Sequence, residues 1–288
     1  MTTTLPTTQP KQDVVHLSPA LKDRIANSPY TETPIDRQRL ERLFISIHRN
    51  KRSTISHSAE TDGCNDESVQ GLWLIILTGA LFALNALDAI SHLYRYAVAQ
   101  TVGDEEKTAF VAERMREVGL KTVSFMGVPR AINCLAALAA AIHDQTPQIK
   151  RLLPQQSRRD LTAENLASVE TRGRELWDDI YQPHHEKLLS ILGKSHPDLP
   201  IHIIQAHYAA LLAPLPHALA RRSDLARVES SVLAVTCLRA LGGVDRQVES
   251  HVFGLKKAQT AAWIASDEGC LWLLSAVDDV VDACRQSR

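Results

Sequence analysis

The run LWLIILTGALFALNALDAI, from Leu72 to Ile90, constrains the fold more than any other stretch of the chain. Its apolar character is nearly unbroken as far as Leu84, after which Asn85 and Asp88 interrupt it. An apolar stretch of this length is short for a membrane span but suits a helix that is buried on all sides. We therefore predict a buried core helix that ends near Asn85, rather than a membrane protein.

The composition predicts an all-α fold. Ala and Leu dominate, both lose little on entering a helix, and aromatic residues make up only 5% of the 288 residues. No segment shows a convincing alternation of apolar and polar residues, so we expect no strands. The net charge is −1, and no basic stripe is interleaved with aromatic residues, so we do not expect nucleic acid as a partner.

Capping residues and prolines indicate where the helices begin. Ser18 and Pro19 open a short helix, Asp36 opens the next, and Thr162 and Pro183 are expected to start two more. The later predicted helices cover about 67–84, 104–126, 128–142, 163–181, 184–194, 201–213, 224–241, 245–261 and 266–284. The predicted divisions are a tail with a short helix over 1–35, a first repeat over 36–143, a connector over 144–160 and a second repeat over 161–288.

The cysteines argue against a redox dithiol or a zinc site. The five cysteines are an odd number and include no CxxC pair; they are Cys64, Cys134, Cys237, Cys270 and Cys284. The histidines at 184, 185, 202 and 207 also lack the spacing of an HExxH motif. We expect no metal and no cofactor, and an intracellular, reducing compartment.

The last two residues, Ser287 and Arg288, are an incomplete peroxisomal signal.

Two segments of the chain repeat each other. SHLYRYAVAQT (91–101) and SHVFGLKKAQT (250–260) are offset by 159 residues and agree at five of eleven positions. Each follows an apolar helix with a similar ending, ALFALNALD or CLRALGGVD, and each precedes an amphipathic helix. This pattern indicates two copies of one helical unit.

A family resemblance rests on these residues. The stretch SSVLAVTCLRALGGVDRQVESHVFGLKKA (230–258) resembles the core of the carboxymuconolactone decarboxylase family, which is similar in fold to the alkylhydroperoxidase AhpD. TRGRELWDDIY, HPDLP and FMGVPRAINCLAAL resemble further family segments. The resemblance implies an AhpD-like helical fold in two degenerate tandem copies, as in divergent fungal members of peroxisomal or mitochondrial type. It also implies a homo-oligomer, and the helices at 72–84 and 128–142 are expected to form the shared core.

The resemblance implies a function without disulfide chemistry. At the two cysteine positions of the AhpD motif, this chain has Val244 and Gln247 in the second copy, and Asn85 and Asp88 in the first. The phrase LKKAQTAA also replaces the Gly/Asn-rich phrase of the decarboxylase branch. The expected function is histidine acid/base chemistry on a small organic acid or lactone. The alternatives are a non-catalytic oligomeric scaffold and a thiol peroxidase that uses Cys237 or Cys64.

The two repeated histidines, His92 and His251, are the first candidates for catalysis, because imidazole can exchange a proton near neutral pH. Asp88 precedes His92 by one helical turn, so it could orient the ring and stabilise its cation. Glu229 is the candidate for the carboxylate of the AhpD relatives, although Ser231 fits that position better. Alternatively, each histidine is a hydrogen-bonded core residue.

Three further side chains are candidates for substrate binding. Tyr96 follows His92 by one turn, and Gln100 and Gln259 follow the two histidines by eight residues. They could line a pocket. The alternatives are packing for Tyr96 and a loop-holding role for the two glutamines.

Overall fold

The computed structural model describes residues 17–27, 35–50, 71–258 and 263–285. Within these ranges all regular structure is helical, which confirms the all-α prediction. The chain divides into two units, Met1–Thr33 and Pro34–Arg288. The first unit contains α1, Pro19–Ala26, whose N-cap Ser18 accepts a hydrogen bond from the Leu21 backbone N–H.

The second unit contains the remaining helices. They are α2 (Arg37–His48), α3 (Leu72–Ala83), α4 (Leu87–Val98), α5 (Glu105–Lys121), α6 (Val123–Met126), α7 (Val128–Gln145), α8 (Leu166–Tyr181), α9 (His185–Ser195), α10 (Leu199–His202), α11 (Arg227–Leu241), α12 (Asp245–Lys256) and α13 (Asp267–Arg285). Short 3₁₀ turns occupy Ala99–Thr101 and Pro147–Arg151, and a π-helix occupies Ile203–Leu212.

Helix α3 is the central core helix. Every one of its residues is buried, and it packs against α4, α5, α11 and α13. It ends before Asn85, which has a φ of +56° and lets the chain turn into α4, as the sequence predicts. None of the helices in the described part of the chain is long and apolar enough to cross a membrane.

One hydrophobic core joins residues from both predicted repeats. It extends from Leu40 in α2 to Ala283 in α13, and α3 and α7 both contribute to it. Helices α3 and α11 pack closely, since a Cβ added at Gly79 would lie 2.7 Å from Leu233 Cδ1. A smaller apolar cluster forms between α8 and the π-helix, around Trp177 and Tyr208.

Several predicted helix starts were wrong by up to three residues; α11, for example, begins at Arg227 rather than at 224. The Asn165 side chain accepts from the Thr162 backbone N–H and donates to the Asp160 carbonyl. These bonds hold the chain in a turn, so α8 begins at Leu166 instead of following Thr162. Helix α9 likewise begins at His185, two residues after Pro183.

The predicted helix over 201–213 differs from the observed structure in type. Residues Ile203–Leu212 form a π-helix, and the Ala213 backbone N–H donates to the Tyr208 carbonyl five residues earlier. Gly173 of α8 lies directly against this segment, since a Cβ there would lie 2.4 Å from Ala209 Cα. Long π-helices are rare and frequently accompany functional sites.

Candidate functional site

His251 lies in the second turn of α12 and faces α8. Only 9% of the residue is exposed. Its Nε2 lies 3.3 Å from the phenol oxygen of Tyr181, the last residue of α8. The Tyr181 and Phe125 rings both approach the imidazole edge-on at 6.0 Å. The histidine is therefore held between three helices of the fold.

A second tyrosine extends this contact. The hydroxyl of Tyr208, in the π-helix, donates to the Tyr181 oxygen at 3.0 Å. Because Tyr181 accepts from Tyr208, its own proton is free to point toward Nε2 of His251. That arrangement requires the tautomer with its proton on Nδ1, and Nδ1 has no hydrogen-bond partner among the described residues. The three side chains form a continuous path for a proton.

Burial determines the protonation states of the three side chains in this path. Burial, together with the nearby Arg227 guanidinium, lowers the pKa of His251 to about 4. Burial also raises the pKa of Tyr181 and raises that of Tyr208 well above its ordinary value. All three groups are consequently neutral near pH 7, so His251 offers a base and the tyrosines offer donors.

Two cationic side chains fix α8 relative to α12. Arg227 of α11 pairs with Asp179 of α8 and donates to the Gly254 carbonyl of α12 at 2.9 Å. Lys257 donates to the Ile180 carbonyl at 2.9 Å, at the end of α8. These contacts hold Tyr181 against His251.

A pocket of about 440 Å³ opens beside Tyr181. Its wall is mainly apolar, and Lys187, Lys257 and Ser250 supply polar groups. The lining residues are Ile180, Tyr181, Pro183, His184, Lys187, Leu188, Ile191, Ser250, Phe253 and Lys257. Lys257 uses two donors on backbone carbonyls, which leaves its third N–H for another acceptor. Tyr181 lines this pocket, whereas His251 and Tyr208 lie behind it and do not.

The expected Asp88–His92 pair does not form. Asp88 is exposed and makes no hydrogen bond with His92, whose ring lies beside the Arg37 backbone. The ring instead packs 5.7 Å from that of Phe44 in α2. Burial lowers the pKa of His92. The first histidine is thus half-buried against α2.

The substrate-binding candidates of the first copy make internal contacts. The Tyr96 hydroxyl lies 2.8 Å from His48 Nδ1, and its ring meets the Trp73 ring edge-on. Gln100 is exposed and donates to the Tyr96 carbonyl at 3.2 Å. Gln259 lies outside the described residues. Tyr96 and Gln100 therefore fit the alternative roles in packing and loop holding.

Glu229 is engaged elsewhere. It is buried, pairs with Arg114 of α5 at 2.9 Å, and accepts from the Ala226 backbone N–H at 2.7 Å. It thereby caps α11 and neutralises a buried guanidinium. Ser231, which fits the carboxylate position of the AhpD relatives better, accepts a hydrogen bond from Arg227 at 2.5 Å.

The cysteine alternative has little chemical support. Cys237 is buried at 1% exposure, its thiol donates to the Gly79 carbonyl, and burial raises its pKa. The thiolate that peroxidase chemistry requires is therefore disfavoured. Cys64 lies outside the described residues. Across the part of the chain that the structure describes, no cluster of three His, Cys, Asp or Glu side chains is placed to hold a metal ion.

Sequence reasoning missed Tyr181, Tyr208, Arg227 and Lys257. Tyr181 ends the quoted segment TRGRELWDDIY, but its helix gives no sign that it meets a histidine seventy residues later. The one available signal was the proximity of an aromatic residue to a helix end.

Comparisons of the chain with protein-family models, with curated proteins and with solved structures find no significant match.

Proposed function

We propose that the site formed by His251 and Tyr181 catalyses cofactor-free proton transfer on a small organic acid or lactone. The observation that carries this proposal is the contact between His251 Nε2 and the hydroxyl of Tyr181, a residue that also lines an apolar pocket. A buried base beside a mostly apolar pocket with few polar groups is a typical arrangement for a small-molecule site.

Tyr181 is the residue that touches the ligand. As its oxygen takes a proton from a carbon next to the ligand's carbonyl, its own proton passes to His251 Nε2. Returning the two protons in reverse order restores both side chains, so no oxidant or reductant is needed. The Tyr208 hydroxyl stabilises negative charge that develops on the Tyr181 oxygen.

The pocket favours a ligand with a carboxylate and an apolar body. Lys187 and Lys257 supply positive charge, while Ile180, Leu188 and Ile191 supply apolar contact. The free N–H of Lys257 can bind a carboxylate or lactone oxygen. This is the substrate class that the family resemblance implies.

The AhpD-like assignment in two copies is part of the same proposal. In support, α3, α4 and α5 follow each other as α11, α12 and α13 do, and each histidine lies in the second turn of the middle helix. Each also faces an aromatic ring on an earlier helix, Phe44 for His92 and Tyr181 for His251. A peroxisomal or mitochondrial location rests on the resemblance alone.

The second candidate is a non-catalytic scaffold, which the first histidine favours. His92 keeps its place in the fold, although no side chain among the described residues hydrogen-bonds its ring and Asp88 faces solvent. A repeat that keeps the helical fold but has lost its catalytic function would place its histidine in this way.

Hydrogen–deuterium exchange of ligand C–H groups in D₂O, followed by proton NMR over a panel of small carboxylic acids and lactones, tests the proposal. The wild-type protein and His92→Asn should exchange a ligand proton, whereas Tyr181→Phe and His251→Asn should not. Circular dichroism checks that all four proteins are folded. Exchange that survives Tyr181→Phe contradicts the mechanism, and absence of exchange in the wild type supports the scaffold.

A further inference from the structure

A second pocket, of about 290 Å³, lies where α5 meets the chain segment 154–159. It shares no lining residue with the pocket beside Tyr181. Its wall is rich in charge and also contains a hydroxyl group. The polar residues that concern us are Arg116, Arg158, Arg159, Glu113, Glu117 and Ser157. The balance of charge among them and their neighbours indicates what the pocket can bind.

Glu117 is shared by three cations. Its side chain is buried, at 4% exposure. The Lys121 ammonium lies 3.7 Å and the Arg159 guanidinium 2.5 Å from Oε1, and the Arg158 guanidinium lies 3.8 Å from Oε2. Burial lowers the pKa of Lys121 to about 8, so its ammonium keeps its proton near pH 7. One negative charge therefore faces three positive charges.

The other two carboxylates of this cluster are also engaged. Glu113 accepts from the Arg221 guanidinium at 2.9 Å and from the Ser223 hydroxyl at 2.7 Å. Asp224 accepts from Arg158 with both of its oxygens, at 2.8 and 2.9 Å. Four cations thus meet three carboxylates in the cluster, which leaves one positive charge in excess.

Arg116 adds a second positive charge at the pocket. Its guanidinium pairs with none of the three carboxylates, although Arg116 lines the same pocket as Glu113 and Glu117. Arg159 donates to Glu117 through one nitrogen of a guanidinium that has five N–H donors. The Ser157 hydroxyl accepts from the Arg159 backbone N–H at 3.3 Å and keeps its own proton for another acceptor. Excess positive charge and available donors together favour an anion.

We propose that this pocket binds a phosphate dianion, either as free phosphate or as the phosphate group of a small phosphomonoester. Arg116 and Arg159 donate to its oxygens, and the Ser157 hydroxyl adds a hydrogen bond. Two positive charges in excess match the two negative charges of the phosphate, and the planar guanidinium groups suit its oxygens. A monocarboxylate would neutralise only one of the two charges. The bound anion would join α5 to the segment 154–159, and the proposal stands whether or not His251 is catalytic.

Isothermal titration calorimetry of the full chain with sodium phosphate, at about pH 7.5 and a constant ionic strength of about 0.1 M, tests the proposal. The wild type should bind phosphate with a dissociation constant of about 1 mM or lower. Arg116→Gln and Arg159→Gln should each raise this constant roughly tenfold, because each removes charge-assisted hydrogen bonds. Arg246→Gln is the matched control, since Arg246 is an exposed arginine on α12 that does not line the pocket. It should bind phosphate as the wild type does.

Two further ligands distinguish the source of the phosphate group and test the need for a dianion. Glycerol phosphate that binds more tightly than phosphate assigns the pocket to phosphomonoesters, whereas equal or weaker binding assigns it to free phosphate. Acetate should bind about tenfold more weakly than phosphate, because it carries a single charge. Acetate that binds as tightly as phosphate contradicts the proposal.

The Arg116 variant separates binding from folding. Because Arg116 pairs with none of the three carboxylates, Arg116→Gln should keep the wild-type circular dichroism spectrum. The proposal is overturned if neither phosphate nor glycerol phosphate binds the wild type at up to about 10 mM. It is also overturned if Arg116→Gln binds phosphate as the wild type does, or if Arg246→Gln weakens binding as much as Arg116→Gln.

Discussion

The phenol oxygen of Tyr181 lies 3.3 Å from Nε2 of His251 and joins the end of α8 to the second turn of α12. Tyr208 donates to the same oxygen from the π-helix. Three segments that are far apart in the chain therefore meet at one hydroxyl group. The contact gives the second histidine a tyrosine partner that lines a pocket, whereas the first histidine bonds to no side chain among the described residues.

Removal of the Tyr181 hydroxyl should cost both stability and activity. Tyr181→Phe keeps the ring but leaves the Tyr208 hydroxyl and His251 Nε2 without their partner, at a cost of about 1–3 kcal/mol in the free energy of unfolding. Loss of a positioned acid/base group should slow proton transfer by roughly 100-fold or more. Urea denaturation and NMR exchange measure the two effects, and an unchanged free energy of unfolding would argue against the contact.

Stability should fall in mild acid because of His251. The folded protein holds its pKa at about 4, whereas an unfolded histidine titrates near 6.5. The contribution of His251 is thus complete above pH 6.5 and declines as the pH falls toward 4, by about 3 kcal/mol in total. Denaturation at several pH values between 4 and 7.5 should show a smaller decline for His251→Asn than for the wild type.

Gly173 should not tolerate a side chain. The added Cβ of Gly173→Ala would meet Ala209 backbone at 2.4 Å and push α8 away from the π-helix, at a cost of about 1–3 kcal/mol. Gly193→Ala in α9 is the matched control, because its nearest neighbour would be Pro200 Cγ at 3.8 Å. That substitution should be neutral or stabilising, as expected for alanine in a helix. Equal melting temperatures for the two variants would contradict the close packing.

The buried pair of Arg114 and Glu229 should be coupled. Both side chains are almost fully buried, so Glu229→Gln leaves an uncompensated guanidinium and should cost about 3–5 kcal/mol of unfolding free energy. Arg114→Met combined with Glu229→Gln should cost less than the sum of the two single changes. Additive effects in this double-mutant cycle would show that the pair is not coupled.

Cys237 should be dispensable for any chemistry of the protein. Its thiol is buried and its pKa is raised, so Cys237→Ala should leave proton exchange unchanged and should remove no peroxide consumption. The cavity left by one sulfur atom should reduce stability by about 1 kcal/mol. Peroxide turnover by the wild type that disappears in Cys237→Ala would restore the thiol peroxidase alternative.

The sequence by itself determined the helical class and most of the helix positions. Local signals suffice for these: the apolar run at Leu72 predicts a buried helix, Asp36 caps α2, and Gly127 with Pro129 separates α6 from α7. Each signal acts within a few residues along the chain. The predicted start of a helix was wrong where a side chain forms a hydrogen bond with nearby backbone, as Asn165 does before α8.

Only the tertiary structure decided which histidine meets a tyrosine hydroxyl. The sequence favoured Asp88 beside His92, because the two lie one turn apart on a helix. In the fold, however, Asp88 faces solvent and the ring of His92 turns toward Phe44. His251 instead receives Tyr181 from α8, and the π-helix brings Tyr208. Contacts between helices depend on how their faces pack over long sequence separations, and neither periodicity nor spacing within one helix determines that packing.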